Sequence, residues 1–153
     1  LIGDEKLGID GWLHNLLMNT QTGSCLCGGI QFRIRGELPP VQICYCGQCR
    51  KAQGTAFASN VPIQSAHFEL LKGQELMKAY EATPGKRRWF CLCCGSPIYS
   101  ERDSLPGVLR VRMGTVDEPI QASPAFHAFV ESKCSWWDVP DDGLPRHPQW
   151  PTS

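Results

Sequence analysis

Eight of the nine cysteines in this chain fall into three short blocks, and that spacing constrains the fold more than any other feature. Cys25 and Cys27 lie in GSCLCGG, Cys44, Cys46 and Cys49 in CYCGQCRK, and Cys91, Cys93 and Cys94 in FCLCCGSP, while Cys134 stands alone. In an extended chain, residues i and i+2 point to one face, so each Cys-x-Cys pair offers two sulfurs on one side of a strand. Gly28, Gly29 and Gly47 beside these pairs permit the slight pinching needed to bring two thiolates to one ion. Cys91-x-x-Cys94-Gly95 is a different clamp, a knuckle whose tight turn favours the positive φ that Gly95 supplies.

What the sulfurs do depends on the redox compartment. The opening LIGDEKLGIDGW lacks the basic region and apolar stretch of a secretory signal, so a cytoplasmic location is expected. Thiols stay reduced there, and clustered cysteines point to metal or catalysis. A disulfide framework is disfavoured because the odd cysteine count leaves one over and a bridge inside a Cys-x-Cys pair is strained. At 153 residues, the chain buries enough surface for one domain without such staples.

One Cys-x-Cys pair and the knuckle make a closed tetrahedral shell for zinc from Cys25, Cys27, Cys91 and Cys94, which ties the N-terminal strand to a distant segment. The expected role is structural. Cys93 competes because it is i+2 from Cys91, but the knuckle geometry and Gly95 favour Cys94. Cys44, Cys46 and Cys49 have no evident fourth partner, and three ligands leave one tetrahedral position for water or substrate. A zinc there lowers the pKa of a thiol or hydroxyl placed in that position. The expectation is therefore two zinc ions per chain, the second able to work on a thiol. Arg50 and Lys51, directly after Cys49, are candidates to attract an anionic substrate; the plain alternatives are surface charge for Lys51 and partial offset of thiolate charge for Arg50.

Three rivals remain. An iron–sulfur cluster normally takes four thiolates, one more than the middle block holds. A redox pair of Cys46 and Cys49 requires a thioredoxin-like βαβ setting. Structural zinc at both sites, with Cys134 or a histidine completing the second, would make the chain a non-catalytic module that binds a thiol metabolite or a protein partner.

The rest of the sequence sets the frame. Ile30, Phe32 and Ile34 alternate with Gln31, Arg33 and Arg35, and Leu109, Val111 and Met113 alternate with Arg110 and Arg112, both period-two strand patterns. Shorter strands are expected at Ala58 to Val61, Phe68 to Leu71, Glu75 to Glu81, Pro97 to Ser100 and around Ala128 and Val130. A short helix is expected over Gly47 to Gln53. The fold class is mainly β, a single domain of mostly antiparallel sheets with little helix. Residues 1-21 read as an N-terminal extension, either helical through Ile9, Trp12, Leu13, Leu16 and Leu17 or contributed by an upstream sequence. Residues 22-139 form the zinc-binding β domain, and 140-153 a proline-rich tail of irregular coil. Lys+Arg and Asp+Glu are equal at 15 each, so the basic footprint of a nucleic-acid binder is missing. No apolar run reaches membrane-spanning length. The oligomeric state is not encoded in any feature of the sequence.

The blocks GSCLCGGIQF, CYCGQCRKAQGTAF and WFCLCCGSPIYS, followed by HAFVESKCSWW, resemble the glutathione-dependent formaldehyde-activating enzymes, grouped with centromere protein V. The resemblance runs from about Thr22 to Trp137. It implies antiparallel sheets leaning together like a tent around the metal, with Cys25, Cys27, Cys91 and Cys94 on a structural zinc and Cys44, Cys46 and Cys49 on a catalytic one. The implied activity is the reversible joining of glutathione and formaldehyde into S-hydroxymethylglutathione, a carbon-sulfur lyase reaction with a small-molecule thiol partner. The sequence departs at Tyr45, where the family commonly has histidine; a phenol with an ordinary pKa of about 10 is a poorer proton carrier at neutral pH. His127 aligns with a histidine frequent in the family, with a role near the metal or substrate set against that of a plain half-buried strand residue. Phe57, Trp136 and Trp137 are candidates to line the pocket above the open zinc, with core packing as the alternative.

Overall fold

Period-two alternation becomes strand wherever one face of the chain finds apolar cover. The computed structural model describes residues 19–152, and the expected N-terminal helix lies outside them. In chain order the strands are β1 (Thr20–Ser24), β2 (Gln31–Arg35), β3 (Val41–Cys44), β4 (Ala58–Gln64), β5 (Phe68–Lys72), β6 (Met77–Thr83), β7 (Lys86–Cys91), β8 (Pro97–Arg102), β9 (Val108–Arg112) and β10 (Pro124–Ala128). Among the described residues one α-helix, α1 (Gly47–Gln53), follows β3. The chain is mainly β with little helix, as the sequence indicated. Among the described residues no helix is long and apolar enough to cross a membrane.

The strands form two sheets, one in the order β1-β2-β5 and one in the order β10-β3-β4-β9-β8-β7-β6. Every pairing is antiparallel except that of β10 with β3, which is parallel. The sheets share one core: Phe32 and Ile34 from the smaller sheet pack in a single cluster with Val61, Ile98 and Val111 from the larger. These five side chains are fully buried, each contributing roughly 1.5–3 kcal/mol of hydrophobic stabilisation. Phe32 stacks on Phe68 at 5.1 Å, joining β2 to β5 through side chains as well as backbone.

Three strands lacked a clear sequence signal. β1 is almost wholly polar, β3 is short, and β7 opens with three consecutive cations, so apolar alternation could not mark them. The 140–152 segment is irregular but anchored along β10. His127 and Phe129 amides donate to the Pro145 and Gln149 carbonyls at 2.8 and 3.2 Å, and the His147 amide returns a bond to the His127 carbonyl at 2.8 Å.

Candidate functional site

Two hairpin turns bring the first cysteine group together. In the β1–β2 turn, the Cys25 amide donates to the Ile30 carbonyl and the Gly28 amide to the Cys25 carbonyl, at 3.1 and 2.9 Å. In the β7–β8 turn, the Gly95 amide donates to the Cys91 carbonyl at 2.8 Å, and Gly95 adopts φ 76°, which a side chain would strain. The turns face each other, and the Leu26 amide donates to Ser96 Oγ across the gap at 2.9 Å. Cys25, Cys27, Cys91 and Cys94 thus place their sulfurs within 4.8 Å of one another. Cys25 Sγ lies 3.5 Å from Cys27 Sγ, which in turn lies 3.9 Å from Cys91 Sγ. Cys93 points to solvent outside the group.

The second group is local. β3 ends at Cys44, the extended chain beyond it carries Cys46 to the same side, and α1 begins there, with Cys46 as its N-cap accepting from the Cys49 amide at 3.4 Å. Cys44, Cys46 and Cys49 have their sulfurs within 4.8 Å of one another, and among the described residues no histidine, carboxylate or further cysteine joins them. Cys134 is buried elsewhere. Hydrogen bonds from Cys44 and then Cys49 hold Cys46 far below the ordinary thiol range, while contacts with Cys46 and then Cys49, together with burial, push Cys44 far above it. Three thiolates this close require a cation between them before all can ionise.

These sulfurs open into a cavity of about 480 Å³. Its wall is one face of the larger sheet, where the register sets Asn60 beside Arg112, Arg110 beside Ser100, and Lys86 beside Arg102. Gln48 of α1, Phe129 and Trp150 complete the lining. Arg110 lies over the Trp150 ring at 4.5 Å, so the C-terminal segment forms part of the cavity wall. Arg112 is 3% exposed; Nη1 donates to Asn60 Oδ1, while its buried Nε has no partner. Burial, with Arg88 next, holds the Lys86 ammonium below the usual lysine range.

Several expected site residues have other tasks. Arg50 donates to the Tyr45 and Ser132 carbonyls at 3.2 and 3.3 Å, bracing α1 against the chain near β10, and Lys51 is exposed outside the cavity. Tyr45 is 1% exposed and does not line the cavity, because alternation turns it to the side opposite its two cysteine neighbours. Its hydroxyl lies 3.1 Å from His127 Nδ1, and His127 Nε2 lies 2.9 Å from Asp142 Oδ2, a chain that runs from the core to the surface and fastens the tail. His127 is thus fully buried and not at the sulfurs. Phe57 packs on Tyr45 and Trp137, Trp136 is exposed, and Phe129 and Trp150 take the cavity position foreseen for those aromatics. The cavity cations Lys86, Arg102, Arg110 and Arg112 had no sequence signal as a set. The alternating Arg110 and Arg112 marked a polar face, which is the face of the cavity.

Fold and site together define a small β protein with two separate cysteine groups, each able to hold a metal ion, one of them at a cavity. The model of the glutathione-dependent formaldehyde-activating enzymes matches residues 20–132, and the chain belongs to that family. A Halomonas elongata relative named "Putative glutathione-dependent formaldehyde-activating enzyme" is 30% identical over 126 residues, covering 76% of this chain and 79% of that protein. A crystal structure of a Rhodobacter sphaeroides protein superimposes with a TM-score of 0.54 at 20% identity, over 82% of this chain and 98% of the other, a likeness of fold.

Proposed function

We propose that the chain binds two zinc ions and, at the second, catalyses the reversible addition of a glutathione-type thiol to formaldehyde, a carbon–sulfur lyase reaction. Cys25, Cys27, Cys91 and Cys94 would hold the structural ion; Cys44, Cys46 and Cys49 would hold the working one. The observation that carries this reading is that the three-sulfur group lines a cavity and has no fourth protein ligand among the described residues. Zinc fits the dimensions: bonds of about 2.3 Å place tetrahedral sulfurs about 3.8 Å apart. The separations of 3.5 and 3.9 Å in the first group lie on either side of that value.

Held by Cys44, Cys46 and Cys49, zinc would supply a Lewis acid that makes a bound thiol or hydroxyl easier to ionise. In the addition, the thiol sulfur forms the bond to the carbonyl carbon, the carbon–oxygen π bond breaks, and the thiol proton ends on the new hydroxyl; the lyase direction reverses each change. Negative charge passes from sulfur to oxygen, and Lys86, Arg102 and Arg110, which line the cavity, would stabilise it there. Asn60 and Ser100 offer hydrogen bonds to the polar parts of the adduct, while Phe129 and Trp150 keep one side apolar.

Equilibration of formaldehyde with glutathione, followed with and without protein by the NMR signal of the hydroxymethyl group, tests this reading. A faster approach to equilibrium, lost in Cys49→Ser along with one of two zinc ions by mass spectrometry, is expected. No acceleration for glutathione or any other thiol would leave a binding module and remove the enzyme.

A further inference from the structure

The cavity holds more positive charge than the sulfur site needs. Four cations line it, Lys86, Arg102, Arg110 and Arg112, and among the described residues no Asp or Glu lines it. A divalent ion on three thiolates leaves one negative charge, so three positive charges remain in excess. On the opposite face of β7 an arginine is neutralised: Arg87 contacts Glu101 and Asp103 at 3.1 and 2.8 Å. None of the four cavity cations, nor Arg88 beside them, takes part in an ion pair among the described residues.

Unused donors point the same way. Arg112 and Arg88 are 3% and 8% exposed, yet Arg112 Nε and Arg88 Nε and Nη1 have no hydrogen-bond partner. Arg88 Nη2 donates to Gln48 Oε1 at 2.9 Å, tying this second layer to a residue of the cavity wall. Buried guanidinium charge without a counter-charge is costly, and an anion in the cavity would offset part of it. Guanidinium groups also suit carboxylates through paired, planar hydrogen bonds.

We propose, building on the thiol chemistry above, that this cavity selects thiols and thiol adducts carrying at least two anionic groups and disfavours a positive charge on the ligand. Arg102, Arg110 and Arg112 hold the anionic groups, and the lack of a carboxylate leaves a ligand ammonium without a partner and facing like charge. Glutathione carries two carboxylates but also one ammonium. Acetylating its amino group removes the unfavourable charge and leaves both carboxylates and the thiol in place.

Isothermal titration of the zinc-loaded protein with glutathione, N-acetylglutathione and 2-mercaptoethanol tests the proposal without requiring turnover. N-acetylglutathione should bind tighter than glutathione by roughly fivefold or more, with the advantage shrinking as salt is added. 2-Mercaptoethanol should bind weakly and with little salt dependence. Arg102→Gln and Arg110→Gln, both at half-buried positions, should each reduce the N-acetyl advantage. Equal or weaker binding of N-acetylglutathione overturns the proposal, and that wild-type comparison stands even if a variant fails to fold. Rapid formaldehyde addition to 2-mercaptoethanol at the glutathione rate would overturn this selectivity and keep the enzyme reading. Charge-dependent binding with no acceleration for any thiol would do the reverse.

Discussion

Replacing one sulfur in each group should give very different losses of stability, because the two groups close chain loops of very different length. Cys27 and Cys91 are 64 residues apart, and an ion shared between them cross-links the β1–β2 turn to the β7–β8 turn. Treated as a chain cross-link, closing a loop of that size is worth about 4 kcal/mol through the entropy removed from the unfolded chain. Cys44, Cys46 and Cys49 lie within one strand end and the first turn of α1, where the same reasoning gives at most about 2 kcal/mol. Local bonds already hold that stretch, among them the Arg50 amide to the Cys46 carbonyl at 3.0 Å, so the real contribution is smaller. Cys94→Ser should therefore lower the thermal midpoint by about 8–16 °C and Cys49→Ser by a few degrees. The assay is thermal and urea unfolding of both variants and the parent, each with metal content measured on the same sample. Equal losses would refute the reasoning, since the second group would then be closing a long-range link as well. A Cys94→Ser protein of parental stability would refute it from the other side.

Gly95→Ala should destabilise the zinc-loaded protein by about 1–2 kcal/mol, because Gly95 needs φ 76° to turn the knuckle although its surroundings are open; urea unfolding measures it, and no change would show the turn is not strained. Tyr45→Phe should cost about 1–3 kcal/mol by leaving the buried His127 Nδ1 without its partner, while formaldehyde addition proceeds at the parental rate. Loss of rate in a folded Tyr45→Phe protein would place that hydroxyl in the chemistry. The hydrogen bond to His127 holds the Asp142 carboxyl below its ordinary value of 3.8. The folded protein thus releases that proton more readily than the unfolded chain, so the contribution is complete above 3.8 and is lost as pH falls through the lower folded value. Urea midpoints measured against pH should show a shallower acid decline in Asp142→Asn, and identical declines would remove Asp142 from the tail anchor.

Short-range rules carried much of the fold and the sulfur chemistry. The alternation of Phe32 and Ile34 with Arg33 and Arg35 marked β2, and the helix expected over Gly47 to Gln53 is α1. The two clamps, Cys25 with Cys27 and Cys91 with Cys94, followed from spacing and turn preference within a few residues, while their meeting is a contact across 64 residues. Such local features depend on backbone periodicity and turn preference, which sequence carries directly.

Which polar face meets solvent and which meets a ligand was decided only by tertiary structure. Arg110 and Arg112 alternate with apolar neighbours as any half-exposed strand would, and Lys86 and Arg88 sit in a run of cations that conceals its strand altogether. Strand pairing over long sequence distances sets Arg110 beside Ser100, Arg112 beside Asn60 and Lys86 beside Arg102. The same long-range packing turns Tyr45 into the core and brings Trp150 to the cavity instead of Trp136. Alternation fixes that a strand has two faces, but register and sheet closure choose the environment of each, and those depend on contacts between segments that the local sequence does not name.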